Sequence, residues 1–366
     1  TKYKAMENAV CGDGRVRGLL QFYGANRTGR WAGRLVQVQN LPRNYLENLS
    51  AARNIVKKKN PEGLGLLFGS VSDTLSQLIR TAFIPSKGNK FVVADFSAIE
   101  ARVIAWLAGE EWRQEVFRTH GKIYEASASA MFGVPIEKIK KGNPEYALRA
   151  KGKVAELALG YQGSAGALVQ MGALDMGLSE EELPDIVRRW RAANKNIVGL
   201  WYAAENAAVE CMRTAKQTGI NKGILFTREA DIIHGLDFLT VTLPSGRKLF
   251  YARPYLAPNA WGNESLHYAG MDQTTKKWCE LETYGGKLVE NIVQAIARDC
   301  LAEAMDRLQK NGFRIVMHIH DEVVIDCPEE SVDLERACKI MCEPVEWAEG
   351  LQLNAAGFIG DYYMKD

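Results

Sequence analysis

No apolar run in the sequence approaches the ~18 residues of a membrane-spanning helix, and the opening TKYKAMENAV carries no signal-peptide pattern. Those absences lead us to expect a cytoplasmic protein with no membrane contact. There is no Cys-x-x-Cys pair among the seven cysteines (Cys11, Cys211, Cys279, Cys300, Cys327, Cys338 and Cys342), and their odd number argues against a disulfide framework. All seven are expected to be reduced. Cys338 and Cys342 share a helical face, but no histidine lies near them in sequence to complete a zinc site. Low-complexity segments and internal repeats are also missing, so the chain should fold compactly throughout rather than as a solenoid or a disordered tail.

What is present is an ordinary globular composition, 47% hydrophobic and 25% charged, in a chain of 366 residues. That length exceeds what one hydrophobic core usually serves, so two subdomains, or one domain with a large insertion, are expected. The net charge of +2 hides an asymmetry. Residues 1–66 hold twelve Lys/Arg against four Asp/Glu, whereas residues 321–366 hold three against twelve. Such a division suggests a polyanion met by one part of the chain, with an unevenly charged solvated surface as the plain alternative.

Hydrophobic patterning places the main elements. KFVVADFS (90–97) reads as a strand ending at Asp95, followed by a helix whose apolar face is Ile99, Val103, Trp106 and Leu107. A second helix is expected over 143–161, with Asn143 as its cap and Pro144 at its first position. Residues 180–216 read as helix interrupted at Pro184, and 286–310 as another, with a β-rich section between them. HIHDEVVID (318–326) then reads as a hairpin with His320, Asp321 and Glu322 at its tip, where glycine or asparagine usually supplies the positive φ.

Three groups of residues carry possible chemistry. Asp95 and Asp321 both stand at strand ends, and two neighbouring carboxylates repel unless a cation lies between them, a role that suits Mg²⁺. Singly, each is an ordinary turn residue. Arg149, Lys153, Leu157 and Tyr161 recur every fourth residue along one helix; like charges at that spacing cost helix stability, so an anion such as a triphosphate is expected to meet them. A solvated helix face is the alternative, although Leu157 and Tyr161 extend the stripe as a covered surface would. RTGRWAGRLVQVQNLPR (27–43) interleaves four arginines with amides, the side chains that contact phosphates, sugars and base edges.

Together these stretches resemble the motifs of family A DNA polymerases. DFSAIEARVIAWLAG (95–109) is similar to the first polymerase motif, RAKGKVAELALGYQG (149–163) to the nucleotide-binding helix of the fingers, and HIHDEVV (318–324) to the third motif. TGR followed by QNLPR resembles the primer-template segment, and VQAIARD (293–299) the helix that carries a primer-contacting glutamine. The resemblance covers nearly the whole chain. Phe96, Ala98, Leu157 and Gln162 depart from the usual residues, in the manner of the phage and prophage branch, and they put the family's sugar discrimination at Leu157 in doubt.

The resemblance implies an α+β right-hand fold, with an antiparallel-sheet palm, a mainly helical fingers subdomain and a thumb that is largely absent. It implies a thumb-type helix remnant in 1–26, palm in 27–110 and 286–366, and fingers with an inserted β-rich section in 111–285. The implied activity is template-directed DNA synthesis, with Asp95 and Asp321 holding two Mg²⁺ ions (Mn²⁺ as a substitute) and Glu322 and Lys153 as further catalytic groups. Arg149, Lys153, Leu157, Tyr161, Glu100 and Tyr124 would bind the deoxynucleoside triphosphate. Primer-template DNA would meet Arg30, Gln39, Asn40, Gln294 and His320. Glu100 has a second reading, because SAIE (97–100) fits a capping box in which Ser97 caps the helix. A silent DNA-binding fragment, a single-subunit RNA polymerase relative and a two-carboxylate nuclease remain as alternatives. Accessory replication proteins are not legible.

Overall fold

The computed structural model describes residues 2–231, 233–260 and 262–365. In chain order its strands are β1 (Leu20–Ala25), β2 (Arg30–Gly33), β3 (Asn89–Phe96), β4 (Thr218–Ile220), β5 (Ile224–Asp231), β6 (Leu236–Thr242), β7 (Lys248–Pro258), β8 (Glu264–Met271), β9 (Trp278–Thr283), β10 (Ile315–Ile319), β11 (Glu322–Pro328) and β12 (Ala355–Gly360). All strand pairing among the described residues is antiparallel, and helices make up much of the rest, so the α+β class holds. The chain divides into two compact units.

The first unit comprises Thr1–Ser97, Cys300–Glu343 and Asn354–Asp366. Its centre is a four-stranded sheet in the order β10-β11-β3-β12. Strand β3 is interior to this sheet, and Phe91, Val92, Val93, Ala94 and Phe96 are all buried. That explains the unbroken apolar run, because a strand covered on both faces has no solvent side to alternate with. One face packs into a core with Met6, Val38, Ile79, Ile319, Val324 and Tyr363. Pairing with β12 depends on Gly357, where a Cβ would collide with the Val93 carbonyl.

The second unit comprises Ala98–Asp299 and Pro344–Leu353. The predicted apolar face of helix Ile99–Ala108 is buried in full. The β-rich section is a six-stranded meander, β4 through β9 in sequence order, with Leu239, Val241, Leu249, Tyr251, Leu266 and Tyr268 buried. Two helix expectations need correction. Residues 144–147 form a 3₁₀ turn and the α-helix is Leu148–Leu159, because Asn143 turns its amide to the Lys138 carbonyl (3.0 Å) instead of capping. Pro184 does not interrupt a helix but sits in the first turn of Leu183–Ala193, where proline loses no hydrogen bond. The interruption lies ten residues later at Asn194, whose non-helical backbone separates that helix from Lys195–Thr214. All seven cysteines are free, as expected, and no helix among the described residues is long and apolar enough to cross a membrane.

Gly357→Ala should destabilise the first unit by about 1–3 kcal/mol, the cost of overpacking a site with no room to relax. A drop in the urea midpoint is the expected result, and an unchanged midpoint would mean that β12 can shift away from β3.

Candidate active site

The hairpin tip answers its own puzzle locally. Ile319 and Glu322 pair across a two-residue turn, and His320 takes the positive φ of 56° that glycine usually supplies. A left-handed conformation in a non-glycine residue costs roughly 1–2 kcal/mol, so the turn is held by what surrounds it. The Phe96 amide donates to the Asp321 carbonyl (3.1 Å), and β11 pairs with β3 over its whole length.

That register sets Glu322 directly opposite Asp95. Like charges facing each other across an antiparallel pair are destabilising. A single cation offsets them here: the Lys365 ammonium lies 3.2 Å from Asp95 Oδ2 and 3.4 Å from Glu322 Oε2. Glu322 is buried and also accepts a hydrogen bond from the Tyr363 hydroxyl (2.8 Å), while Arg80, itself buried, donates to that hydroxyl (3.2 Å). Burial pushes the Asp321 carboxyl up to about 7, the charge of Asp95 adds to the rise, and Lys365 and Arg30 oppose it. Burial likewise raises Glu322 despite Lys365 and Tyr363.

Asp95 and Glu322 thus share one ammonium with Asp321 close by, and Asp95 Oδ1 is buried with no hydrogen-bond donor among the described residues. An orphaned carboxylate oxygen beside a carboxyl that resists ionisation fits a site for a hard divalent cation. No three His, Cys, Asp or Glu side chains among the described residues form a complete metal cage. Mg²⁺ does not require one, since it commonly binds one or two carboxylates and takes waters and phosphate oxygens for the rest.

The expected DNA-contacting residues in this unit are partly gathered. Arg30, Gln39 and His320 line one small pocket with Trp31 and His318, whose rings meet edge to face at 4.5 Å. Asn40 is exposed, and its amide donates to Gln37 (3.2 Å).

In the second unit, the helix Leu148–Leu159 carries the basic stripe. Lys153 is half-buried and forms no ion pair with a described residue. Arg149 differs from expectation, because a carboxylate of the protein already meets it: Nε donates to Glu125 (2.8 Å), and its guanidinium lies over the Tyr124 ring. Leu157 is 47% exposed, so the stripe is not covered at that point. Tyr161 donates its hydroxyl to Glu100 Oε2 (3.0 Å). The capping-box reading of Glu100 fails, since the helix starts at Ile99 with Ala98 in the cap position and no side-chain cap. Gln294 lies on helix Gly285–Lys310 and donates to Glu290 (3.4 Å).

Several residues with structural claims on the site escaped the sequence reading. The inner face of the basic helix is anchored by a buried ion pair between Glu156 and Arg113, joined by the Trp190 indole (3.0 Å) and Asn194 (3.0 Å). Breaking such a pair costs about 3–5 kcal/mol, so the helix is fixed from behind. In the first unit Lys365, Tyr363, Arg80 and Asn44 were missed. The only signal was a lysine and two tyrosines closing an otherwise acidic segment.

A family model described as DNA polymerase family A matches residues 2–227. The DNA polymerase of Bacillus phage SP02 is 60% identical over 366 residues, covering all of this chain and 55% of the phage protein. The thermostable DNA polymerase I of Thermus aquaticus is 26% identical over 281 residues, covering 75% of this chain and 27% of its own length. The chain therefore spans little more than half of the phage relative. Among solved structures, the POL domain of Pol1 from M. smegmatis, in complex with DNA primer-template and dNTP, superposes with a TM-score of 0.61 at 20% identity, over 98% of this chain and 50% of that one. That likeness gives the polymerase-domain fold.

The raised Asp321 carboxyl has a pH consequence. With a folded pKa near 7 against about 3.9 unfolded, it keeps its proton longer in the folded chain, so stability falls as pH rises from about 4 to about 7 and stays low above that. Asp321→Asn cannot ionise. In EDTA it should melt several degrees higher than the unmodified chain at pH 8 and close to it at pH 4; equal melting temperatures at pH 8 would contradict the charge crowding.

Proposed function

Because the chain belongs to DNA polymerase family A, we propose that it adds deoxynucleotides to a primer 3′-hydroxyl under the direction of a template strand. The carboxylate cluster of Asp95 and Asp321 carries this reading. Its orphaned, crowded oxygens fit a divalent-metal site on the two motifs that resemble the first and third of the family. Two Mg²⁺ ions, with Mn²⁺ as a substitute, would be held by Asp95 and Asp321 and would supply activation of the attacking hydroxyl and neutralisation of charge on the departing pyrophosphate.

The chain's own residues then have defined tasks. Lys153 would grip the triphosphate as a point charge, and Arg149 would do so by sharing or exchanging its bond to Glu125. Tyr124 would support Arg149 through its ring face. Glu322 would act through its bonds to Tyr363 and Lys365, which hold a negative charge beside the metal aspartates. The Tyr161 hydroxyl would fix the Glu100 carboxylate as a barrier to a 2′-hydroxyl, with Leu157, on the helix that ends just before Tyr161, near the sugar. Arg30, Gln39 and His320, together with Asn40 and Gln294, would contact primer-template DNA. Residues 27–110 and 286–366 would serve as palm and 111–285 as fingers; of the stretch 1–26 read as a thumb-type helix, only Lys2–Ala9 is helical among the described residues, and Leu20–Ala25 is strand β1. The setting would be phage or prophage DNA replication in the cytoplasm of a bacterial host, a reading supported by the phage relative.

Primer extension tests the proposal. Asp95→Ala and Asp321→Ala should each abolish extension while duplex binding survives, because Lys and Arg contacts to phosphate dominate affinity. Extension by either variant at near wild-type rate would refute the metal assignment. Glu100→Ala should lower the ratio of kcat/KM for a deoxynucleotide over its ribonucleotide at least about tenfold, or ~1.4 kcal/mol of discrimination. With no cap to lose, an unchanged ratio would remove Glu100 from sugar selection.

A further inference from the structure

Lys365 reaches the carboxylate cluster from a backbone that is anchored at Lys365 itself and at Tyr363. Its N–H donates to Asn44 Oδ1 (2.8 Å) and its carbonyl accepts from the Asn44 N–H (3.0 Å), while Asn44 is buried and donates its amide to the Gln77 carbonyl (2.5 Å). Two residues earlier the Tyr363 N–H donates to the Phe83 carbonyl (3.0 Å), and the Tyr363 side chain is fully buried. Tyr362 is held as well, by Ser50 at its hydroxyl (3.1 Å) and by the Arg53 guanidinium over its ring (4.0 Å). A long lysine side chain on a free tail gains little from an exposed ion pair. This one is 22% exposed and stands on an anchored strap, so the fold itself delivers the ammonium to Asp95 and Glu322.

We propose that Lys365 is a resident counter-ion of the carboxylate site, balancing Asp95 and Glu322 while no metal is bound and holding down the affinity for a divalent cation until it is displaced. The inference rests on the metal role proposed above for Asp95 and Asp321. Its physical basis is competition for the same charge. An ammonium within 3.2 Å of Asp95 Oδ2 and 3.4 Å of Glu322 Oε2 satisfies part of what would attract a metal, and it repels a divalent ion that approaches those carboxylates. The orphaned Asp95 Oδ1 leaves that same carboxylate one open ligand position. Lys365 is therefore a positioning residue that acts through the carboxylates, and its removal affects metal binding in the opposite direction from the removal of a ligand.

The test is a titration of the chain with Mn²⁺ alone, followed by the paramagnetic signal of the free ion, in the absence of DNA and nucleotide. Lys365→Met keeps most of the side-chain volume and loses the charge; it should bind Mn²⁺ at least tenfold more tightly than the unmodified chain. Lys365→Arg keeps the charge and should bind no more tightly than the unmodified chain. In EDTA, Lys365→Met should also melt below the unmodified chain, and added Mg²⁺ should close the gap. Unchanged or weaker Mn²⁺ binding by Lys365→Met overturns the proposal, as does equal tightening by Lys365→Arg. Asp95→Asn separates the two readings. If it weakens Mn²⁺ binding while Lys365→Met leaves it unchanged, only the counter-ion role fails; if it leaves Mn²⁺ binding unchanged, the metal assignment and the counter-ion role fall together.

Discussion

Charge crowding at one end of the β3–β11 pair is the constraint on which the first unit depends. The ladder register that buries Val92, Val93 and Ala94 also sets Asp95 opposite Glu322, and the tight hairpin adds Asp321 beside them. A one-residue slip would relieve the repulsion but would turn Phe91 and Val93 away from the core they share with Val324 and Tyr363. The carboxylates must therefore stay together. The fold tolerates this by burying Glu322 against Tyr363, by bringing Lys365 across from the far end of the chain, and by holding a proton on Asp321 near neutral pH. These devices offset the crowding only in part, since Asp95 Oδ1 still has no donor among the described residues, and an unmet carboxylate oxygen is what a divalent ion would bind.

The second unit solves a different problem, which is how to present cations on a helix without letting the helix drift. Glu156 points to the inner side of Leu148–Leu159 and is locked by Arg113, Trp190 and Asn194, and Trp190 stacks parallel to Trp201 with centroids 6.1 Å apart. Asn194 also breaks the helical run, so one residue both ends a helix and completes the buried ion pair. Lys153 and Arg149 are then held by a rigid element, and the neighbouring helix Ile123–Phe132 supplies the anion, Glu125, that pairs with Arg149.

The legibility of these features follows from how far apart their parts lie in sequence. Strand β3 and the hairpin could be read because apolar periodicity and strand-end aspartates are local signals. The 3₁₀ start at Pro144 and the break at Asn194 could not, because Asn143 turns to the Lys138 carbonyl and the Asn194 side chain accepts from Arg113, 81 residues away in sequence. Ser97 and Glu100 matched a capping pattern, yet the helix began one residue later and Glu100 bonded to Tyr161, 61 residues on. Lys365 is the extreme case. It sits 270 positions from Asp95, inside a segment whose overall charge is strongly negative, so composition pointed away from it.

The central claim is that the crowded carboxylates exist to bind divalent metal. The most direct measurement is a crystal structure of the chain grown with Mn²⁺, primer-template DNA and a non-reactive nucleotide analogue, with the metal located by anomalous scattering. The account predicts Mn²⁺ bonded to Asp95 and Asp321, with the Lys365 ammonium moved off Asp95. Manganese located only away from these two aspartates, or an ammonium still bonded to Asp95 in a fully assembled complex, would contradict it.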